Sequence, residues 1–152
     1  MRKRFDLFVS LFFVTTVFAQ MPNTDVWLFT LEHTKTGEHL LKDPLNITNR
    51  EGYDNQPSFS NDGKKIYYVS VREDKQADIY YYDLKLRSNM RLTRSKESEY
   101  SPVQTENGKL ITAVVVEADS SQKIHYVDVE TGVDAKKLDI DSIGYCTFLN
   151  AD

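Results

Sequence analysis

The sequence repeats itself with a period of 45 residues, and this repeat restricts the possible folds more than any other feature. The stretch NQPSFSNDGKKIYYVSVREDKQADIYYYDL, residues 55–84, aligns without an insertion with YSPVQTENGKLITAVVVEADSSQKIHYVDV, residues 100–129. Upstream, DVWLFTL at 25–31 resembles DIYYYDL at 78–84. A fixed period of this length is typical of proteins built from stacked supersecondary units. The sequence therefore predicts a repeat architecture.

Each copy has the character of β-strands joined by tight turns. KKIYYVSV and DIYYYDL are rich in the β-branched and aromatic residues that strands favour. The pairs Asp62-Gly63 and Asn107-Gly108 are strong hairpin signals, because glycine accepts the positive φ that a tight turn requires. We expect four short strands per copy, around QPSFS, KKIYYVS, DIYYYDL and MRLT.

Four antiparallel strands in about 45 residues match one blade of a β-propeller. In KKIYYVS both alternating sets of side chains are apolar, so both faces of the sheet need to be covered by neighbouring blades. The two sets are Ile66 with Tyr68 and Tyr67 with Val69. The predicted fold is an all-β propeller with about two complete four-stranded blades and parts of two more, in eleven strand segments.

Residues 1–19 have the layout of a secretory signal peptide. Basic residues stand at the start, a mainly apolar run follows at 7–18, and the small residues Val17 and Ala19 precede the expected cleavage point. The alternative is an anchor helix, but the run is shorter than the ~20 apolar residues that a membrane span needs. We therefore expect export, cleavage, and a propeller domain over 20–152 without a membrane span.

The charge and the single cysteine argue against several kinds of protein. The formal net charge is −4, and removal of the basic N-terminal residues would make it more negative. An acidic chain is poorly suited to nucleic acid or to anionic lipid, since both attract basic patches. A single cysteine, Cys146, permits no internal disulfide. We expect it to be a small buried residue on a strand.

The stretch NQPSFSNDGKKI, followed by DIY at 78–80, resembles the repeat of TolB-type propellers. These are exported periplasmic proteins with WD-repeat-like blades, usually six in a ring, and the similarity extends to TolB-like proteins of the Bacteroidetes type. The resemblance implies an incomplete six-bladed ring with repeats at about 25–48, 49–93, 94–139 and 140–152. It also implies that the chain is an N-terminal fragment of a longer protein. The alternative is a short chain that dimerises into one ring.

The same repeat occurs in the propeller domains of prolyl-oligopeptidase-type and tricorn-type peptidases. A catalytic domain encoded downstream would make this chain the N-terminal propeller of such an enzyme. The sequence itself contains no G-x-S-x-G nucleophile motif. The three histidines, His33, His39 and His125, lack the cysteine or carboxylate spacing of a metal site. We therefore expect a non-catalytic protein without a cofactor or a metal site.

Acidic residues are numerous, but their positions argue for a structural role. Asp25, Asp78, Asp83 and Asp128 recur with the repeat. Recurring carboxylates usually bind the amides of loops and turns, whereas a catalytic pair has no reason to be periodic. We expect these four side chains to hold loops in place.

A candidate binding surface lies at one end of the blades. In a propeller the second-to-third and fourth-to-first connections emerge on the same face, here 49–56, 71–78, 94–101 and 116–123. These segments are charged and contain tyrosines, and Tyr and Arg commonly anchor protein contacts. The alternative is that they are solvated loops whose aromatic residues cover the blade ends. The candidate partner-binding residues are Arg50, Tyr53, Asp54, Arg72, Glu73, Glu99 and Tyr100.

The resemblance and this face together predict a function. We expect a non-catalytic exported scaffold, in the periplasm or associated with the outer membrane, that contacts protein or envelope components. By analogy with the family, the implied partner is a peptidoglycan-associated envelope component. Open blade edges would also allow the chain to form oligomers.

Overall fold

The computed structural model describes residues 21–148, and the regular elements in this range are ten β-strands. The expected signal peptide and residues 149–152 lie outside the described residues. Residues 21–148 contain no helix long and apolar enough to cross a membrane. The strands are β1 (Trp27–His33), β2 (His39–Asn46), β3 (Tyr53–Phe59), β4 (Lys65–Val71), β5 (Ala77–Asp83), β6 (Ser88–Arg91), β7 (Ser98–Gln104), β8 (Leu110–Val116), β9 (Gln122–Asp128) and β10 (Asp134–Lys137).

The strands form three antiparallel sheets, each with its strands in sequential order. Blade 1 is the pair β1-β2, blade 2 is β3-β4-β5-β6, and blade 3 is β7-β8-β9-β10. The strands predicted from QPSFS, KKIYYVS, DIYYYDL and MRLT correspond to β3, β4, β5 and β6. The predicted all-β fold with two complete four-stranded blades is confirmed, and the sheets do not close into a ring within residues 21–148.

Residues 45 positions apart touch each other where β3 and β7 lie side by side. Gln56 Oε1 accepts a hydrogen bond from Ser101 N at 2.8 Å. In the hairpin turn after β3, Asn61 Nδ2 donates a hydrogen bond at 3.2 Å to Glu106 O, which lies in the turn after β7. Contacts between equivalent residues of neighbouring copies are expected if the copies are related by rotation about an axis close to these strands. The first strand of each complete blade is therefore the innermost one.

Two apolar layers hold the blades together, one in each seam between neighbouring blades. In the first seam, Val26 and Ile47 of blade 1 share a buried cluster with Tyr68 of blade 2. In the second seam, Ile79 of blade 2 shares a cluster with Ile111 of blade 3. Burying one such side chain contributes about 1.5–3 kcal/mol. The expectation that both faces of a blade need to be covered is confirmed for blade 2.

The two inner strands carry the same irregularity. The pairing register shifts between Asn55 and Ser58 in β3 and at the equivalent place in β7. Gln56 and Ser101 adopt φ values of 54° and 52°, in the left-handed region that non-glycine residues seldom enter. Each is followed by a proline, which has no N–H to donate to a ladder. These are β-bulges, and they bend both inner strands at the same height.

The chain after β10 differs from the sequence prediction. An eleventh strand was expected in 140–152, but as far as residue 148 no strand follows β10. A strand needs a neighbouring backbone to pair with. In this segment the Ile143 N–H donates one hydrogen bond to Gln122 O, at 3.2 Å. Cys146 is half-buried in this irregular segment, 3.6 Å from the Thr112 hydroxyl. The expectation of a buried cysteine on a strand is therefore wrong.

Candidate functional site

The predicted binding surface is built from four connections at one end of the blades. We call it the upper face and define it by residues 49–56, 71–78, 94–101 and 116–123. These segments join β2 to β3, β4 to β5, β6 to β7 and β8 to β9. Since neighbouring strands run in opposite directions, alternate connections lie at the same end of the sheets.

Two of the seven candidate residues do not lie on the surface. Asp54 is 1% exposed and Glu99 is 2% exposed, so the expectation that these carboxylates face a partner is corrected. They occupy equivalent positions, 45 residues apart, near the start of the two inner strands. The other candidates remain accessible: Glu73 is exposed, and Arg50, Tyr53, Arg72 and Tyr100 are half-buried.

Asp54 is buried because an arginine from the preceding loop neutralises it. Arg50 Nη1 donates to Asp54 Oδ2 at 2.9 Å, and Arg50 Nη2 donates to Val71 O at 3.0 Å. The second carboxylate oxygen, Asp54 Oδ1, is buried without a hydrogen-bond partner among residues 21–148. Arg50 thus ties the loop before β3 to the end of β4, and a buried charge depends on it.

Glu99 is buried in the second seam with different partners. Its carboxylate accepts a short hydrogen bond from the Thr93 hydroxyl, and the same hydroxyl accepts from Ile79 N at 2.9 Å. Burial raises the pKa of Glu99, although the Thr93 hydrogen bond opposes this effect. The carboxyl therefore links the end of blade 2 to the first strand of blade 3.

Asp78 is a third buried carboxylate, 1% exposed, at the start of β5. Arg91 Nη2 donates to Asp78 Oδ2 at 2.6 Å and to Asp74 Oδ2 at 3.0 Å. Burial raises the pKa of Asp78 to about 6, in spite of the opposing effect of Arg91. This carboxylate binds an arginine and no turn amide, which differs from the expectation for recurring aspartates.

The other recurring aspartates behave as expected. Asp83 Oδ1 accepts hydrogen bonds from the backbone amides of Lys85 and Leu86, both at 2.9 Å. Asp128 Oδ1 accepts from the amides of the equivalent turn after β9. Asp25 Oδ1 accepts from the Thr48 hydroxyl at 2.8 Å. These carboxylates hold loops, so the periodic aspartates belong to the framework of the blades.

His125 lies between two carboxylates, at a place where blade 2 has a cation–π pair. Its Nδ1 is 2.7 Å from Asp134 Oδ2, and its Nε2 is 3.3 Å from Glu117 Oε1. In blade 2, Tyr80 is equivalent to His125 and Arg72 is equivalent to Glu117. The Arg72 guanidinium lies 4.1 Å from the centroid of the Tyr80 ring. Among residues 21–148 no group of three or more His, Cys, Asp or Glu side chains is placed to hold a metal ion.

Two tyrosines, Tyr53 and Tyr100, lie on the inner strands at the upper face, and a third, Tyr145, lies in the segment after β10. Partial burial raises the pKa of the Tyr53 hydroxyl, and the nearby Tyr100 and Tyr145 hydroxyls add to this effect. Tyr53 and Tyr100 belong to the inner strands of blades 2 and 3, whereas Tyr145 lies in the segment after β10 and is 78% exposed. Tyr145 is 45 residues after Tyr100, so the repeat itself could have identified it. We call these three residues the tyrosine cluster.

Hydrogen bonds connect the loops that surround the tyrosine cluster. Gln76 Nε2 donates to Ser95 O and to Glu97 O, both at 2.8 Å, and so joins the upper loops of blades 2 and 3. Gly52 N donates to Asn23 Oδ1 at the equivalent place between blades 1 and 2. The arrangement is a pre-formed surface of aromatic and charged groups, which is suited to recognition.

Comparison with known proteins identifies the same fold. No family model matches the sequence, and no curated protein matches it. Among solved structures, the crystal structure of TolB from Acinetobacter baumannii is similar over 60% of this chain, with 28% identity and a TM-score of 0.54. The structure of putative TolB from Agrobacterium tumefaciens is similar over 68% of this chain, with 21% identity and a TM-score of 0.52. The chain covers 23% and 39% of those two proteins. Its sheets therefore match part of a TolB-like propeller.

Proposed function

We propose that this chain is part of a non-catalytic scaffold, exported to the periplasm, that binds a protein of the cell envelope through its upper face. The observation that carries the proposal is the tyrosine cluster. Tyr53 and Tyr100 stand on two inner strands, and the charged loops around them are connected by hydrogen bonds. The TolB-like fold supports the assignment, since the similar solved structures are TolB proteins.

The upper face has the composition of a protein-binding surface. Tyrosine combines a large apolar ring with a polar hydroxyl and loses little conformational freedom on binding, which makes it a common anchor of interfaces. The charged residues around the cluster, such as Glu73 and Lys96, are exposed and would form a polar rim. Arg50 and Arg72 are each held by intramolecular contacts and serve to shape the surface.

The location and the partner are parts of the same proposal. The predicted signal peptide supports export, and the acidic net charge of −4 disfavours nucleic acid and anionic lipid. A peptidoglycan-associated envelope component is the proposed partner, either in the periplasm or at the outer membrane.

We also propose that the blades belong to a larger ring, in a longer protein of the TolB-like type found in Bacteroidetes. On the side of blade 1 away from blade 2, Trp27, Phe29 and Leu31 are 41–53% exposed. The equivalent face of blade 2 is covered by blade 1, and its Tyr80 and Tyr82 are each 5% exposed. A further blade would cover the apolar face of blade 1 in the same way.

Site-specific photocrosslinking in the producing cell tests the binding role. A photoreactive phenylalanine analogue would replace Tyr100 on the upper face or Glu106 on the opposite face. We expect position 100 to give a discrete adduct that contains an envelope protein, and position 106 to give none. The same adducts at both positions, or none at position 100 with the protein correctly exported, would contradict the proposal.

A further inference from the structure

A recess lies at the opposite end of the molecule from the upper face. It occupies about 370 Å³ between blades 2 and 3, beside the hairpin turns that contain Gly63 and Gly108. We call it the lower groove. A volume of this size falls within the range of small-molecule sites, about 300–1,000 Å³. The residues that matter for its chemistry are Asp62, Lys65, Tyr67, Tyr81, Gln104 and Glu130.

Tyr67 forms the inner wall of the lower groove. The residue is 1% exposed, yet its hydroxyl has no hydrogen-bond partner among the side chains and backbone of residues 21–148, whereas the neighbouring Tyr68 hydroxyl donates to Asn89 at 2.9 Å. Burial raises the pKa of Tyr67 to about 12, and Asp62 and Tyr81, which both line the groove, add to this effect. The Tyr67 hydroxyl oxygen is not among the buried unpaired atoms of residues 21–148, so it keeps access to the groove that Tyr67 lines, where a ligand oxygen can reach it.

Lys65 brings an unneutralised positive charge to the same groove. Its ammonium lies 4.4 Å from the centroid of the Tyr81 ring, and no carboxylate of residues 21–148 forms a salt bridge with it. The adjacent Lys64 differs, because its ammonium is 3.0 Å from Asp62 Oδ2. Asp62 nevertheless raises the pKa of Tyr67 and therefore opposes an incoming anion, so the Lys65 ammonium has to outweigh this repulsion. Glu130, on the rim, is exposed and screened by solvent.

The repeat provides an internal control for these two residues. Lys65 and Tyr67 align with Leu110 and Thr112 of blade 3. Blade 3 has leucine and threonine at these positions. In blade 2 the Tyr67 ring belongs to the buried cluster of the second seam, but that packing requires neither the Tyr67 hydroxyl nor the Lys65 ammonium. Lys65 and Tyr67, which differ from their counterparts in blade 3, both bring hydrogen-bond donors to the groove.

We propose that the lower groove binds a small molecule through a carboxylate group, with the Lys65 ammonium and the Tyr67 hydroxyl donating to its oxygens. The Tyr81 ring would pack against the carbon skeleton beside that carboxylate. Gln104 cannot serve as the anchor, because both ends of its amide are engaged: Oε1 accepts from Asn61 N, and Nε2 donates to Gly108 O. The site is independent of the upper face and of the function proposed for it.

Titration of the full chain with matched probes tests this site. The probes are N-acetyl-L-alanine, which carries a carboxylate, and its primary amide, which has nearly the same size and no charge. With ¹³C-labelled tyrosines, we expect the acid to shift the Tyr67 and Tyr81 signals in a saturable way. The amide should bind at least about tenfold more weakly, since a charge-assisted hydrogen bond contributes about 1.5–3 kcal/mol.

Three variants complete the experiment. Lys65→Met keeps the length of the side chain and should weaken binding of the acid by about tenfold, while Tyr67→Phe should weaken it by a smaller factor. Lys109→Met removes a lysine elsewhere on the same end of the molecule and should leave binding unchanged. The proposal is overturned if the acid and the amide bind equally, if neither gives a saturable shift at Tyr67, or if a folded Lys65→Met variant binds the acid normally. The comparison of probes on the unaltered chain decides the matter even if a variant fails to fold.

Discussion

Two residues at equivalent positions of the repeat, Gly132 and Arg87, are constrained by different physical causes. Gly132 and Arg87 both follow a third strand and both have positive φ, 70° and 52°. The left-handed backbone alone therefore does not require glycine at this position. A Cβ at residue 132 would lie 1.9 Å from Leu92 O, a distance that no real side chain can occupy. Glycine is needed there because the turn approaches the backbone of blade 2.

Gly132→Ala tests this reading at the residue scale. We expect a loss of about 2–4 kcal/mol in the free energy of unfolding, because the turn or the Leu92 backbone must move. Gly63→Ala is the matched control, since Gly63 also has positive φ but nothing lies within 4 Å of its added Cβ. Its cost should be about 1 kcal/mol. Urea unfolding followed by circular dichroism measures both, and equal losses would contradict the close-contact explanation.

The buried Asp78 carboxyl predicts a pH dependence with a definite sign. Its pKa is raised to about 6 by burial, against about 3.9 in an unfolded chain. The folded state therefore binds this proton more tightly, and the contribution of Asp78 to stability falls as pH rises from about 4 to 6. Relative to Asp78→Asn, the unaltered protein should lose about 2–3 kcal/mol between pH 4 and pH 7. Parallel profiles for the two proteins, measured by urea unfolding at several pH values, would refute this.

At the scale of elements, the sequence predicts what depends on local pattern and misses what depends on neighbours. Strands β4, β5, β8 and β9 follow from β-branched and aromatic residues and from the Asp-Gly and Asn-Gly turns. The outer strands β6 and β10 contain no such residue and follow from the count of four strands per repeat. The burial of Asp54 and Glu99 could not be predicted, because charged residues in a loop-rich segment usually face solvent. Their partners, Arg50 and Thr93, lie outside the strands that carry them. The irregular segment with Tyr145 was missed for the same reason, since a strand forms only where another backbone can pair with it.

The Arg50–Asp54 pair gives a prediction for the loop before β3. The Asp54 side chain is 0% exposed, so Arg50→Met would leave a buried charge without its partner. We expect a loss of about 3–5 kcal/mol in the free energy of unfolding. Adding Asp54→Asn to Arg50→Met should recover part of this loss, because the unpaired charge is then absent. A double variant less stable than Arg50→Met alone would show that the pair does not act in this way.

At the scale of the whole molecule, the open side of blade 1 determines how the chain behaves in solution. Trp27 and Leu31 present an apolar face in which they are 52% and 53% exposed, on a two-stranded sheet. Uncovered sheet faces and edges recruit other chains. We expect residues 20–152, produced alone, to self-associate at micromolar concentration in sedimentation velocity experiments.

Two glutamine substitutions test whether this face, rather than exposed apolar side chains in general, causes the self-association. Trp27→Gln with Leu31→Gln should shift the sedimentation profile towards monomer. Leu86→Gln, which removes a similarly exposed leucine (64%) from a turn, should not. A monodisperse unaltered chain would show that the face of blade 1 needs no cover.

The central claim is that the copies are related by rotation about an axis beside their first strands, and disulfide trapping tests it most directly. In a Cys146→Ser background, cysteines would replace Asn61 and Glu106, which are 45 residues apart in the hairpin turns after the two inner strands, where Asn61 Nδ2 lies 3.2 Å from Glu106 O. A second pair, at Lys85 and Glu130, has the same separation but lies in the outer turns. The account predicts that the inner pair forms an intramolecular disulfide rapidly and that the outer pair does not, because equivalent points diverge with distance from the axis. Equal trapping of both pairs, or trapping of the outer pair alone, would contradict the propeller arrangement.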